Sequence, residues 1–409
     1  MHSFLEPLKD FPDGQVFLSL LDLHGEKPEL LTNISAWLIN KNKLDLGEAC
    51  AKYALSLAPL VQAKFNLASC LYYQGKRQEA NALFMECIEQ QPDLPELKPA
   101  FAVHLLSQKM FNAGRILYRD RFDAQVREKH KRPLPIPYWD FKSPGKLFIW
   151  SEQGIGDQIL FLSLGLPDNP CYLEADPRLH EHLQFSLSIL SDYELLTPSE
   201  SPDPRDADYQ VALSEWFLYV YGSRQPVRHS IFPREQLKVP LRAEYRQAAG
   251  VKPIVGVSWF SENVCFGDLK SIPLTSLAPI LSHKSHFFLN LQYGDHKEEL
   301  ALINTDYDCC LADDMRIDPV TAFPDFIDQV ACCDFVLTIS NATAHVAGAL
   351  GVPTALLCPF GRAKLWYWFE EETQSSIYPS VRIFRQAQDL SWTQALKDAA
   401  QFLGITLTE

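Results

Sequence analysis

Apolar residues along this chain of 409 residues follow two rhythms. From about residue 30 to residue 120 they recur every three or four positions, the spacing of amphipathic helices, and the pattern itself repeats. The clearest unit runs LASCLYYQGK from Leu67 to Lys76, then EANALF from Glu79 to Phe84, and closes at Pro92. ISAWL (Ile34 to Leu38), Gly47, Ala51 and ALSLAP (Ala54 to Pro59) make up the unit before it. AFA (Ala100 to Ala102), Ala113 and the pair Leu117 and Tyr118 make up the unit after it. Gly47, Ala80 and Ala113 are spaced by 33, as are Pro59 and Pro92. Small residues at fixed positions let two helices approach closely while Leu, Phe and Tyr fill the space between them. A lone unit cannot bury its apolar face, so these two or three must stack on each other or on the region that follows. A cap without a ligand and a groove for a peptide or protein are both open readings of such a stack.

The second rhythm begins near residue 147, where short apolar runs alternate with helical patterns. LFIW (Leu147 to Trp150), CYLEA (Cys171 to Ala175) and QVAL (Gln210 to Leu213) read as strands. A helix is expected from about Arg178 to Leu190 and a short one over EWFLY, Glu215 to Tyr219. A second series starts with IVGVSW (Ile254 to Trp259) and continues with FFLNL (Phe287 to Leu291), FVLTI (Phe335 to Ile339) and TALLC (Thr354 to Cys358). Helical patterns fall between them near 275–282, 325–333 and 343–350. Such alternation implies parallel sheets covered by helices. A polar, proline-containing stretch around 233–253 splits the series into two α/β domains, which leaves a cleft between the carboxyl ends of their strands. The expected order is a helical region over 1–121, a connector over 122–145, then α/β domains over 146–240 and 250–409, the last closed by a C-terminal helix. Within the connector RPLPIP, Arg132 to Pro137, should be a stiff extended strap, since proline fixes its own φ and restricts its neighbour.

Composition narrows the partners. The formal net charge of -14 disfavours nucleic acid and anionic membranes. The basic stretch REKHKR, Arg127 to Arg132, reads as solvated linker. No basic segment followed by an apolar run opens the chain and no run reaches 18 uninterrupted apolar residues, so neither a signal peptide nor a transmembrane segment is expected. The ten cysteines include the adjacent pairs Cys309–Cys310 and Cys332–Cys333, which suit neither a metal knuckle nor a redox motif. Reduced thiols and a cytoplasmic protein are the expectation.

Three stretches could carry chemistry. In FIWSEQGIGDQILF, Phe148 to Phe161, Gly154 and Gly156 allow a tight turn after a strand and close approach of a ligand, and Asp157 then falls in the first turn of a helix. Capping of exposed amides and catalysis are alternative roles for Asp157. The turn lacks the GK[ST] of a Walker loop and the third glycine of a dinucleotide fingerprint. In TISNATAHVAGALGVP, Thr338 to Pro353, a helix should start near Thr343 after a polar turn, with Gly351 as terminator. Ala344, Ala347, Gly348 and Ala349 leave room near the helix start, where amides and dipole favour an anion such as a diphosphate. Asn341 or Thr343 could cap or hold phosphate oxygens, and His345 could donate to a phosphate or ribose or be a structural histidine. The third stretch is GVSWFSEN, Gly256 to Asn263, followed by KSIP from Lys270. There Ser258 and Ser261 could bind phosphate and Lys270 could neutralise a leaving group. Gln292, Tyr293 and Gly294, directly after a strand, could read a base or ribose edge.

Taken together these stretches resemble bacterial tetratricopeptide-repeat glycosyltransferases, relatives of the lipopolysaccharide heptosyltransferase group. FIWSEQGIGDQILF, with Gln153 in place, is similar to their EQGxGDxxQF segment, SNATAHVAGALG (Ser340 to Gly351) to VDTSxAHLAGALG, and LNLQYG (Leu289 to Gly294) to SLQxG. WYWF (Trp366 to Phe369) and YPSVRIFRQ (Tyr378 to Gln386) are similar to their tryptophan-rich stretch and WYPSxRLFRQ close, and Asp325 stands where their DTAALIAALD helix starts. The helical units likewise resemble tetratricopeptide repeats, one residue short of the usual 34. The matched segments span about residues 120 to 390. Ser340 and Asn341 depart from the aspartate and threonine frequent in the family, Glu262 from its small or amide residues, and Lys270 from its arginine.

The resemblance implies a GT-B fold, with two facing Rossmann-like domains and the nucleotide sugar held mainly by the C-terminal one. It implies that Asp157 is the general base and Lys270 the phosphate partner, and that Thr343, Ala344 and His345 hold the nucleotide diphosphate. Gln153, Gly154, Gly156, Ser258, Ser261, Gln292, Ser340 and Asn341 complete the expected binding set. Inverting transfer without a metal or other cofactor follows from the same source, since Asp306, Tyr307 and Asp308, superficially a DxD motif, lie outside the matched segments. Arg362 and Lys364 are either cleft-lining or solvated. The repeats would present a protein acceptor. A glycan or lipid-linked acceptor with the repeats as a cap, and a non-catalytic scaffold, are the alternatives.

Overall fold

The computed structural model describes residues 3–122, 134–187, 192–199, 203–223, 232 and 239–407. The basic stretch at 127–132 and the start of the proline strap lie outside the described residues.

The first rhythm folds as helical hairpins. After a 3-10 helix (Ser3–Asp10) and α1 (Pro12–His24) come α2 (Pro28–Asn40) with α3 (Leu44–Leu57), α4 (Val61–Tyr73) with α5 (Arg77–Gln90), and α6 (Leu97–Ser107) with α7 (Phe111–Tyr118). Helices thus form within the expected 1–121 region even before residue 30, where the repeating pattern starts. Pro12 occupies the first turn of α1, where no intrahelical donor is needed. Within α2, Leu31, Ile34 and Leu38 are fully buried at helical spacing. The hairpin turns are equivalent: Asn42, Gly75 and Lys109 each adopt positive φ. The next residue in each case closes the same loop, Lys43 N to Leu38 O at 2.9 Å, Lys76 N to Leu71 O at 2.8 Å and Met110 N to Leu105 O at 2.9 Å. These bonds satisfy carbonyls that a helix end otherwise leaves open.

The second rhythm folds as two parallel sheets. The first, ordered β3-β2-β1-β4, contains β1 (Leu147–Trp150), β2 (Cys171–Glu174), β3 (Tyr193–Leu196) and β4 (Tyr209–Ala212). Its helices are α8 (Ile155–Leu162), α9 (His180–Leu187) and α10 (Leu213–Gly222). The connector runs along the edge of β4: Trp139 N donates to Gln210 O, Gln210 N to Pro137 O, and the Gln210 side chain to Leu134 O and Ile136 O. Prolines, which cannot donate, sit here where edge pairing tolerates them.

The second sheet is ordered β10-β9-β8-β5-β6-β7, with β5 (Ile254–Ser258), β6 (Phe287–Asn290), β7 (Leu311–Ala312), β8 (Phe335–Ile339), β9 (Thr354–Cys358) and β10 (Val381–Arg385). The polar stretch before it is not a plain break but carries α11 (Val239–Ala249). Leu241, Tyr245 and Ala249 recur every fourth residue there, and Tyr245 and Ala249 are buried. Around the sheet lie α12 (Gly267–Lys270), α13 (Ala278–Leu281), α14 (Lys297–Asp306), α15 (Phe323–Ala331), α16 (Ala342–Ala349) and α17 (Thr393–Phe402). Asp306 ends α14, and Asp308, at positive φ, pairs with Lys284 on the surface. A helical region followed by two α/β domains with parallel sheets is consistent with a GT-B-like two-domain fold. No helix among the described residues is long and apolar enough to cross a membrane.

Each hairpin turn makes contact with the second α/β domain. Asn42 donates to Phe360 O and accepts from Arg362 N, Arg77 pairs with Glu370 and Glu371, and Lys109 pairs with Glu372. Lys364, half-buried over the Tyr72 ring, pairs with the same Glu370. Burial alone would raise the Glu370 carboxyl, but Lys364 and Arg77 outweigh it and hold it low. The helical region also grips the first α/β domain. Arg121, just past α7, donates to Glu152 Oε1 at 2.7 Å and to Ser214 Oγ at 2.6 Å, with 3% and 2% of the Arg121 and Glu152 side chains exposed. Removing one partner of a buried ion pair strands the other charge and costs about 3–5 kcal/mol. Arg121→Met is therefore expected to lower the urea midpoint by well over half a molar, for a denaturant slope of about 2–3 kcal/mol/M. A midpoint within error of the parent would show that the pair holds nothing together.

Candidate active site

The two sheets meet through their glycine-rich turns. Gly154 caps α8 with extended backbone, which puts Asp157 in the first turn of that helix. Opposite stands the start of α16. There a Cβ on Gly156 would lie 3.0 Å from the His345 ring and 3.3 Å from Ala342 Cα, so only glycine lets α8 close onto α16 without displacing it. Further along α16 a Cβ on Gly348 would fall 2.5 Å from the Tyr378 ring. The small residues of α16 thus make room for the chain's own Tyr378 and α8.

A four-residue aromatic segment fills the junction. Trp366, Tyr367, Trp368 and Phe369 are each 6% exposed or less. Trp366 packs on Phe217 of α10, and Phe369 on Tyr221 of α10 and Phe111 of α7. Trp368 stacks on His345 with centroids 5.4 Å apart and donates its indole N–H to Ser340 Oγ at 2.7 Å. Tyr367 meets the His345 ring edge-on and donates to Asp157 Oδ1 at 3.3 Å.

Electrostatics bind this group together. Lys270, at the end of α12, is 6% exposed. Burial pushes its ammonium down, opposed by the Asp157 charge from across the junction. His345 is pushed down to about 3 by burial first and by Lys270 second. Tyr367 and Tyr378 are pushed up by burial and then by Asp157. Asp157 and His345, which lie far from it in the sequence, are thus both within electrostatic reach of Lys270.

Other expected residues form a separate knot just behind it. Gln292 Oε1 accepts from Ser258 Oγ at 2.9 Å, Trp259 N at 2.9 Å and Phe260 N at 2.8 Å, while its Nε2 donates to Phe260 O and Tyr293 O. Asn341 donates to Ser258 Oγ at 2.8 Å, and its Oδ1 accepts from Thr343 N and Thr338 Oγ1. Asn341 is therefore the cap of α16, and Ser258, Gln292 and Asn341 tie the ends of β5, β6 and β8 together. Ser261 accepts from Asn263 N and its own amide donates to Ser271 Oγ. Gln153 donates to the Tyr118 hydroxyl at 2.9 Å and so faces the helical region. Thr343, Ala344 and His345 are all 3% exposed or less, so the start of α16 is shut in this conformation. Arg362 gives its backbone amide to Asn42 and turns its side chain to Cys265 O and the Phe266 ring just before α12, while Lys364 lies over the Tyr72 ring of α4. A cavity of about 600 Å³ lies elsewhere, between β10 and α17. Among the described residues no group of three or more His, Cys, Asp or Glu side chains is placed to hold a metal ion. Sequence reasoning missed Tyr367 as a neighbour of Asp157. The density of WYWF was the available signal, but aromatic density reports burial and not which ring faces which group.

No family model matches the chain. It is similar to Protein FlbA of Caulobacter vibrioides, 26% identical over 334 residues that cover 76% of this chain and 55% of the relative. The chain thus spans about half the length of the curated relative it matches. Among solved structures it is similar to ADP-heptose lipopolysaccharide heptosyltransferase II of E. coli, with 14% identity, TM-score 0.39, and coverage of 63% of this chain and 98% of that one. It is also similar to a family 9 glycosyl transferase of Veillonella parvula, with 10% identity, TM-score 0.45, and coverage of 64% and 98%. An O-GlcNAc transferase mutant of Thermobaculum terrenum aligns over 98% of this chain and 91% of its own, with 15% identity and TM-score 0.33. At these scores the likenesses assign no role to any residue.

The His345 shift has a pH consequence. The folded protein holds His345 neutral, whereas the unfolded chain protonates it near 6.5. Its contribution to stability is complete above that pH and is lost as the pH falls towards about 3. His345→Gln is expected to flatten the fall in urea midpoint between about pH 6 and pH 4, leaving the part due to His104, which burial pushes down to about 4. An unchanged acid slope would show that His345 titrates normally.

Proposed function

We propose that the chain is a glycosyltransferase that moves a sugar from a nucleotide-sugar donor to an acceptor hydroxyl, with Asp157 as general base. The observation that carries this reading is the convergence of Asp157, from the first α/β domain, on Lys270 and the start of α16 in the second. A carboxylate in a partly dry junction is better matched to proton abstraction than one in water. Asp157 takes the proton of the acceptor hydroxyl, whose oxygen bonds to the anomeric carbon as the bond from that carbon to the nucleotide phosphate breaks. Lys270 and the amides near Thr343 and Ala344 stabilise the departing diphosphate. Displacement from the opposite face inverts the anomeric centre, and no step calls on a metal. Because the start of α16 is shut, donor binding requires the two α/β domains to part, and the arrangement described is the closed one.

The acceptor is proposed to be a protein presented by the helical region. One observation favours the second reading, in which the repeats are an architectural clamp and the acceptor is a glycan or lipid-linked saccharide. The edge formed by the three hairpin turns is already occupied by residues 360–372 of the same chain.

A thermal-shift series with UDP, GDP, ADP, CMP and dTDP and their sugars tests the donor. A ligand at 100 times its Kd is expected to add about 2.7 kcal/mol of apparent stability. With the donor so found, Asp157→Asn is expected to lower turnover by about 10²–10⁴-fold while leaving the donor-induced shift in place. Turnover that survives Asp157→Asn overturns the base assignment, and absence of any shift across the series overturns the donor site.

A further inference from the structure

Tyr367 has a hydroxyl where the packing needs only a ring. Its neighbours are the His345 ring (5.3 Å, 69°), Trp366 and Trp368, and 5% of the residue is exposed. A phenylalanine would fill the same volume. A phenol buried to this degree is costly unless it finds an acceptor, and the acceptor here is Asp157 Oδ1 at 3.3 Å. The bond crosses from the second α/β domain to the first and joins positions 210 residues apart. Its donor cannot drift, because the segment on either side is pinned. Trp368 is bonded to Ser340, Phe369 is wedged between α7 and α10, and Glu370 is held by Arg77 and Lys364.

We infer that Tyr367 is a positioning residue for Asp157: its hydroxyl orients the carboxylate and holds it ionised when the α/β domains are closed. The inference rests on the reading of Asp157 as the base. The bond is made in this shut arrangement, so an oriented carboxylate and a shut cleft are found together. The other ionisable groups facing this point are Lys270 from α12, His345 from α16, Tyr378 before β10, and Tyr118 at the end of α7, which faces Tyr367. Tyr367 adds to this field a hydroxyl that donates to the carboxylate itself.

A hydrogen bond to the charged form lowers a carboxyl's pKa, so its loss must raise it. The test is a carboxyl ¹³C titration of the full chain labelled at aspartate, with the Asp157 resonance identified by its loss in Asp157→Asn. In Tyr367→Phe the Asp157 midpoint is expected about one pH unit above that of the parent, a tenfold change in proton affinity. Chain grown with 3-fluorotyrosine, whose phenol is a stronger donor, is expected to shift the midpoint the opposite way. It decides the matter alone if Tyr367→Phe fails to fold. Midpoints that coincide in all the folded forms overturn the inference, whatever the enzyme's activity. With a donor in hand, Tyr367→Phe is further expected to lower kcat, leave KM within about twofold, and move the acid limb of the pH profile upward with the titration midpoint. If the parent turns over no donor while the titration shifts as expected, the activity reading fails and the Tyr367–Asp157 coupling stands.

Discussion

Burial of the aromatic segment Trp366 to Phe369 is the interaction on which the remaining architecture depends. Its four side chains touch α7 of the helical region, α10 of the first α/β domain, and His345 and Ser340 of the second. Each fully buried large side chain is worth roughly 1.5–3 kcal/mol relative to exposure, and aromatic pairs in tilted or stacked geometry add to that. Withdrawal of the segment would leave the α8–α16 contact held mainly by the narrow approach at Gly156. The segment is therefore both core and fastening, which explains why residues as apolar as these sit in a surface-type turn between β9 and β10.

The charges around the segment explain why it stays in one register. Glu370, Glu371 and Glu372 follow it directly, and each is met by a cation from a hairpin turn or its neighbour. Exposed pairs are worth little, but Glu370 and its partner Lys364 are largely buried and geometrically fixed. Repetition of the hairpin, with Asn42, Gly75 and Lys109 in equivalent left-handed positions, places contacts in a row along residues 360–372. The helical region thus bears on residues 360–372, the segment that carries Tyr367 to the proposed active site.

Polar groups at the junction divide by use. Ser258, Gln292 and Asn341 spend their hydrogen bonds on one another and on the backbone, which fixes the strand ends rigidly behind the site. Lys270 and Tyr367 instead keep a charge and a hydroxyl where burial makes each costly, with the half-buried Asp157 beside them. Costly groups that a fold gathers from separate segments are the usual mark of chemistry, and this contrast separates the proposed base from its scaffolding.

Much of this was legible from local pattern. Helical spacing in the first 120 residues, the 33-residue interval, the alternation of strands and helices, and the placing of Asp157 in the first turn after a glycine-framed loop are properties of neighbouring residues. Periodicity reports them because side chains three, four or two apart share a face. Elements whose local signals conflict were misread. The proline-containing stretch that carries α11 looked like a break, and the short edge strands β3 and β7 have little alternation to show. Tertiary structure alone decided the rest: that Asn42 meets Arg362, that Arg77 meets Glu370, that Gln292 closes on Ser258, and that Tyr367 reaches Asp157. These contacts join segments from 34 to 320 residues apart. No single-sequence period encodes such a pairing, because it is set by which surfaces remain unburied once each local element has formed.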